Sequence, residues 1–317
     1  ITLVMADVNA LKLTNDAFGH KTGDRLLCAA ANVLRTCCRE DDIIARLSGD
    51  EFVILLPHTE SDKAAEIVGR IRELCAKTHV DAVALSVSFG WESKNEEDED
   101  IQDIFKRAED HMYRQKLFES PVIRSSTIQT IIQTLYKAQP REESRTKHVA
   151  ALCETMGRAL GLPEHIVKEL RTASAFYDIG KIAIRDDILG KHGSLSEEES
   201  REMRRHAEIG YRIVSSVNEL AEIADYILLH HERWDGTGYP KGLAGEKTPL
   251  PSRIIGLADA YDAMVNNRPY REALSPEEAV RIIQEEAGTK FDPHLVEVFI
   301  QQVAGEIQAA RNKQGSN

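Results

Sequence analysis

The chain has 317 residues, 42% hydrophobic and 29% charged, enough for about two globular domains with a core each. A formal net charge of -12 argues against a nucleic-acid binder or a protein that rests on anionic lipid, so a phosphate-bearing ligand has to be drawn in locally by cations. A small nucleotide suits that balance better than DNA. Five cysteines, with Cys37 and Cys38 adjacent, form no CxxC pair and no disulfide framework, which points to a reducing cytoplasm.

No apolar run approaches the roughly 18 residues of a membrane span, and the opening residues lack the basic-then-apolar pattern of a signal peptide. Because Ile1 falls inside a strand-like run, the sequence is expected to start part-way through a domain, which leaves room upstream for a sensor or membrane segment in a full-length protein. Residues 1–5, 52–56 and 82–89 read as strands among helix-like stretches, which argues for an α/β sandwich. After the candidate cap Ser61, the residues Ala64, Ile67, Val68, Ile71, Leu74 and Cys75 recur on one helical face. The acidic run at residues 95–100 reads as a solvated loop. From Ser125 onward strand signals fade. An apolar stripe at Ile128, Ile131, Ile132, Leu135 and Tyr136, closed by Pro140, predicts a connecting helix into an all-helical second half, with a domain boundary between residues 120 and 126.

Beyond Pro140 the polar anomalies are His148, Asp178 with Lys181, His206, the pair His230 and His231, and Asp259. Imidazole nitrogens and carboxylate oxygens suit iron, manganese or a similar divalent ion, and one carboxylate can bridge two of them. A lone histidine is more often a satisfied core or surface residue; an ordered set carries the weight here.

The run from His230 to Pro240, reading HHERWDGTGYP, resembles the signature of the HD-GYP phosphodiesterase family. Tyr177-Asp178-Ile179-Gly180-Lys181-Ile182 is similar to that family's HD motif, and Ala258-Asp259-Ala260-Tyr261-Asp262-Ala263 to its downstream aspartate helix. Arg268-Pro269-Tyr270-Arg271 and Gly288-Thr289-Lys290-Phe291-Asp292-Pro293 match its tail. The resemblance implies a helical bundle over residues 141–317 that holds one or two iron or manganese ions, with Asp178 bridging. His148 and Asp259 would serve one ion, and His206, His230 and His231 the other. Asp178 and Lys181 would be catalytic, while Lys181, Tyr239, Arg268 and Arg271 would hold the substrate, cyclic di-GMP, as water made acidic by the ions cuts it to pGpG or GMP. Two positions depart from the family. Tyr177 stands where the HD histidine belongs, and a phenol with an ordinary pKa near ~10 is a poor metal ligand. Ser144 stands where some members carry a glutamate for a third metal, so at most two are expected.

Earlier in the chain, Arg46-Leu47-Ser48-Gly49-Asp50-Glu51-Phe52 resembles the signature of GGDEF diguanylate cyclases, with Ser48 in place of the first glycine. Over residues 1–120 that likeness implies an antiparallel-containing sheet with flanking helices, lacking the family's opening segment, and residues 121–140 would form the connecting helix. Asp7 and Asp50 would ligate magnesium, Asn15 and Asp24 would read guanine, and Glu51 would sit at the reacting hydroxyl of GTP. Arg39 and Asp42 match the RxxD pattern of the family's product-inhibition site. Asn9, Ala10 and Leu11 replace the usual acidic and aromatic residues, and a cyclase needs two such domains face to face, so a homodimer is expected and cyclase activity of this stretch is not.

Three functions remain open at this point. The first is a metal-dependent cyclic di-GMP phosphodiesterase with a regulatory GGDEF-like part. The second is a receptor that binds cyclic di-GMP without cutting it, favoured by Tyr177. The third is a diguanylate cyclase in the full-length protein, favoured by Asp50 and Glu51.

Overall fold

All seven residues of strand β1 (Thr2–Val8) are buried, as befits a central strand covered on both faces. It pairs antiparallel with β3 (Glu51–Leu56) on one side and β6 (Val87–Ser93) on the other, and β2 (Ile43–Ser48) closes the order β2-β3-β1-β6. A separate two-stranded ribbon joins β4 (His79–Val80) to β5 (Val83–Ala84). In this computed structural model residues 1–96, 98–267 and 272–302 are described.

Alternation along β1 divides the first core. Val4, Ala6 and Val8 face helices α2 (His20–Cys37) and α3 (Ser61–Lys77), which follow the short α1 (Leu11–Phe18). Leu3 and Met5 face Ile104, Ala108 and Met112 of α4 (Ile101–Ala138). The strand expected over residues 82–89 is two pieces, β5 and the start of β6. Ser61 is the first helical residue of α3 rather than its cap, and Glu60 at the cap position makes no side-chain capping bond.

The connecting stripe lies in the last turns of α4, which runs unbroken for 38 residues with Pro121 inside it. Two compact units, Ile1–Ile131 and Ile132–Asn317, divide within this helix. The second unit is helical: α5 (Pro140–Ala159), α6 (Glu164–Phe176), α7 (Asp186–Leu189), α8 (Glu197–Ser215), α9 (Ala224–Leu228), α10 (Leu250–Val265) and α11 (Pro276–Glu285). Local chemistry sets these starts. Pro140 occupies the first turn of α5, where its missing N–H costs nothing. At α8 the Ser196 hydroxyl and the Glu199 carboxylate form a reciprocal capping box. The chain is therefore an antiparallel sheet with flanking helices followed by a helical bundle, as the motifs implied. Among the described residues no helix is long and apolar enough to cross a membrane.

Candidate metal centre and nucleotide sites

Helical spacing delivers the polar residues of the second unit to one place. Arg145 and His148 lie three apart on α5, and Asp259 and Asp262 three apart on α10, so each pair shares a face. Tyr177 caps the C-terminus of α6, Asp178 follows it, and Lys181 rides on the 3₁₀ turn Ile179–Ala183. Gly180 lets that turn press against α8: a Cβ there would meet the carbonyl oxygen of His206 at 2.0 Å and the amide of Gly210 at 2.6 Å. Close approach brings Oδ1 of Asp178 to 3.5 Å from Nε2 of His206.

Three imidazoles then converge. Nε2 of His231 lies 3.1 Å from Nε2 of His206, which lies 3.5 Å from Nε2 of His230. The opposite nitrogens are occupied, because Nδ1 of His206 donates to the Met203 carbonyl at 2.7 Å and Nδ1 of His230 to the Ile227 carbonyl at 2.6 Å. That fixes the tautomer and turns the lone pair of each Nε2 inward. Burial pushes His206 down to about 4 and lowers His230 and His231 as well, so all three are neutral near pH 7. Three neutral imidazoles that turn nitrogens towards one another, two of them on buried rings, fit a divalent ion, and the three ligand atoms lie within 4.8 Å of each other.

The other expected set is arranged differently. His148, Asp178 and Asp259 are drawn to one corner, but the guanidinium of Arg145 stands among them. Nη2 lies 2.5 Å from Oδ1 of Asp259, and Nη1 lies 3.4 Å from Oδ2 of Asp178. The phenol of Tyr177, with 0% exposure, donates to the same Asp259 oxygen at 2.8 Å. Burial raises its pKa well above the ordinary phenol value, so it remains a donor. His148 turns Nδ1 to Oδ1 of Asp262 at 2.5 Å. Burial pushes the Asp178 carboxyl upward, but Lys181 at 2.8 Å and Arg145 outweigh it and hold the group ionised, well below the usual range. This corner is a poor fit for an ion, since one oxygen of Asp178 and one of Asp259 already serve a fixed cation, and the latter a phenol as well. Arg145 escaped the sequence reading because one arginine on an amphipathic helix looks like a solvated residue; its spacing of three from His148 was the available signal.

Both sets open into a cleft of about 1780 Å³, lined among others by Lys181, His148, Tyr239 and Trp234. The Tyr239 ring stacks on His231 with centroids 4.8 Å apart, and the Arg204 guanidinium lies 5.1 Å from the Tyr239 ring centroid. Gly238 is required in this loop, because a Cβ would meet the Arg233 amide at 2.4 Å. Arg268 and Arg271 lie outside the described residues.

In the first unit, Asp7 ends β1 opposite Glu51, and the Val8 amide donates to the Asp50 carbonyl at 2.9 Å, which gathers the expected magnesium ligands at the β2–β3 tip. Asp7 is buried; Nζ of Lys116 lies 2.6 Å from its Oδ2, while Oδ1 has no partner. An unpartnered buried carboxylate oxygen beside Asp50 and Glu51 fits a cation. Ser48 Oγ donates to Glu51 at 2.8 Å. Asn15 sits on α1 and Asp24, exposed, on α2. Asp42 accepts from the Arg39 amide at 2.7 Å, a self-closed exposed turn. Asn9 is buried, with Nδ2 donating to Ser86 and Ser88.

A histidine cluster closed by an aspartate in a helical bundle is the centre of an HD-domain protein. The family model described as HD domain matches residues 129–295, more than half of the chain, and that described as diguanylate cyclase, GGDEF domain, matches residues 1–119. The chain belongs to the HD-domain family, with a GGDEF domain ahead of its HD-GYP motifs. HD-domain hydrolases are generally metal-dependent. Cyclic di-GMP phosphodiesterase response regulator RpfG of Xanthomonas campestris is 40% identical over 179 residues, 54% of this chain and 47% of the relative. A cyclic di-GMP phosphodiesterase of Thermotoga maritima is 40% identical over 173 residues, with the same two coverages of 54% and 47%. The 3'3'-cGAMP-specific phosphodiesterase 2 of Vibrio cholerae is 36% identical over 168 residues, 52% of this chain and 32% of the relative. Among solved structures, the active GGEEF domain of a diguanylate cyclase from Vibrio cholerae is 29% identical, with 36% of this chain and 75% of that one covered at a TM-score of 0.35. The chain spans about half the length of the first curated relatives it matches.

Proposed function

We propose that this chain is a metal-dependent phosphodiesterase of cyclic dinucleotides, with cyclic di-GMP as substrate and pGpG or GMP as product. The observation that carries the reading is the convergence of neutral His206, His230 and His231 beside ionised Asp178 at the floor of a cleft wide enough for a dinucleotide. Those four residues would hold the ion, iron or manganese. A bound divalent cation supplies acidified water and positive charge beside the phosphate. Asp178 accepts a hydrogen bond from the attacking water and orients it. Lys181, held by Asp178 at 2.8 Å and by Glu142 at 3.1 Å, brings a fixed ammonium to the phosphate. The Tyr239 ring, stacked on His231, offers a face on which a base can lie.

The first unit acts on this reading as a regulator that takes magnesium with GTP at Asp7, Asp50, Glu51, Asn15 and Asp24, or cyclic di-GMP at Arg39 and Asp42. A homodimer and a cytoplasmic setting belong to the same proposal; all five cysteines are free thiols. A second reading, a receptor that binds the dinucleotide uncut, is favoured by Tyr177 and Arg145.

The test loads the purified chain anaerobically with iron or manganese and incubates it with cyclic di-GMP, with 3'3'-cGAMP in parallel. Chromatographic appearance of pGpG supports the reading. Faster loss of the mixed dinucleotide moves the substrate assignment, and tight binding without product establishes the receptor.

A further inference from the structure

We propose that the guanidinium of Arg145 is a built-in replacement for one of the two cations that the HD centre would otherwise take, so that the cleft holds a single divalent ion. The ion would sit on His206, His230 and His231 with Asp178. This deepens the functional reading above but is argued from ligand occupancy, and stands independently of whether cyclic di-GMP is cut.

The two oxygens of Asp178 show the division of labour. Oδ2 faces permanent cations, with Nζ of Lys181 at 2.8 Å and Nη1 of Arg145 at 3.4 Å; Oδ1 faces the histidines, 3.5 Å from Nε2 of His206. A bridging carboxylate offers one oxygen to each of two metals, and here one of those oxygens already serves side-chain nitrogens. Asp259 is committed in the same way, because its Oδ1 takes both the Arg145 guanidinium and the Tyr177 hydroxyl. Asp262 takes His148 Nδ1 at 2.5 Å and Asn266 Nδ2 at 2.8 Å on one oxygen, with Nε of Arg145 at 3.7 Å from the other.

Charge points the same way. Among the described residues, four carboxylates of this cluster (Glu142, Asp178, Asp259 and Asp262) meet two permanent cations, Arg145 and Lys181. One divalent ion closes that deficit, and a second would leave a buried excess of positive charge within contact of an arginine. Tyr177 and Arg145 act together: a neutral phenol in place of an imidazole removes a ligand, and the arginine packs beside it, its Cζ 5.9 Å from the centroid of the phenol ring. Arginine suits the place because its planar fork can reach Asp178, just past the end of α6, and Asp259 on α10 at once.

The experiment counts manganese in the purified wild-type chain after loading and desalting, by mass spectrometry, and records its electron paramagnetic resonance spectrum. One ion per chain with the isolated hexet of a lone Mn(II) is expected. Two ions per chain, a spin-coupled spectrum, or no retained ion overturns the proposal, and this measurement needs no variant. The double variant Arg145→Ala/Tyr177→His, checked for native circular dichroism, is expected to raise the count twofold and to couple the spins. A folded double variant that still holds one ion overturns the assignment of Arg145. A chain that holds one ion and leaves cyclic di-GMP intact removes the phosphodiesterase reading and keeps this one; a chain that cuts the dinucleotide with two ions does the reverse.

Discussion

The hydroxyl of Tyr177 donates to Oδ1 of Asp259 at 2.8 Å across the boundary between α6 and α10, and both side chains are buried. The residue that stands where the resembled family carries the histidine of its HD motif serves here as a hydrogen-bond donor. Tyr177→Phe keeps the ring and removes only the hydroxyl, and Arg145 still pairs with the carboxylate. Stability should fall by about 1 kcal/mol in urea titration, the ordinary worth of one hydrogen bond. Metal content should not change; a variant that loses its ion would return Tyr177 to the ligand set.

His206→Ala removes one of three converging nitrogens from the candidate centre. The expected result is a chain that loses its ion on desalting and shows weakened retention by at least tenfold in competition with a chelator, in line with what supporting groups of metal sites contribute. Retention equal to wild type would place the ion elsewhere. His148→Ala, at the corner filled by Arg145, should leave retention unchanged.

Gly180→Ala tests how the two halves of the centre are held together. The added methyl would meet backbone atoms of His206 and Gly210, which cannot rotate away as a side chain could. The 3₁₀ turn must move off α8, at a cost of about 1–3 kcal/mol for overpacking. Asp178 moves with the turn, so ion retention should drop together with the thermal midpoint. A fall in midpoint with full retention would mean that Asp178 is not among the ligands.

How far the sequence foretold this arrangement depended on whether a residue's role was carried by its type or by its neighbours. His230, His231 and Asp178 stand in ordered motifs, His206 is a polar anomaly between them, and the fold brings the four together. The face of α3 was legible because apolar spacing of 3.6 is what burial against a sheet requires, and the start of β1 because residues 1–5 carry no charge. The unbroken course of α4 past Pro121 was not legible, since proline ordinarily ends a helix and the stripe after Ser125 looked like a new element. Arg145 and Lys116 were missed as counter-charges for the opposite reason. Each is one basic residue on a helix, and only the packing of a distant carboxylate against it makes it part of a site.

Lys116 supplies the pH-dependent case. Its side chain is 29% exposed, against 5% for Asp7, so the carboxylate pays most of the desolvation, and burial raises its pKa although the lysine pulls it down. Lys116→Met removes that pull and should destabilise the first unit by about 1–3 kcal/mol at pH 7, the cost of a buried group left without its partner. The sign with pH follows from the raised pKa. Above it the buried carboxylate is charged and unfavourable; as pH falls through it, the folded chain takes up a proton before the unfolded chain does, whose aspartate titrates near ~3.9. The gap between variant and wild type should therefore narrow from pH 7 towards pH 4 in denaturant titrations. Asp7→Asn in the same background should close the gap at every pH. A gap that stays constant with pH would show that Lys116 contributes packing rather than charge.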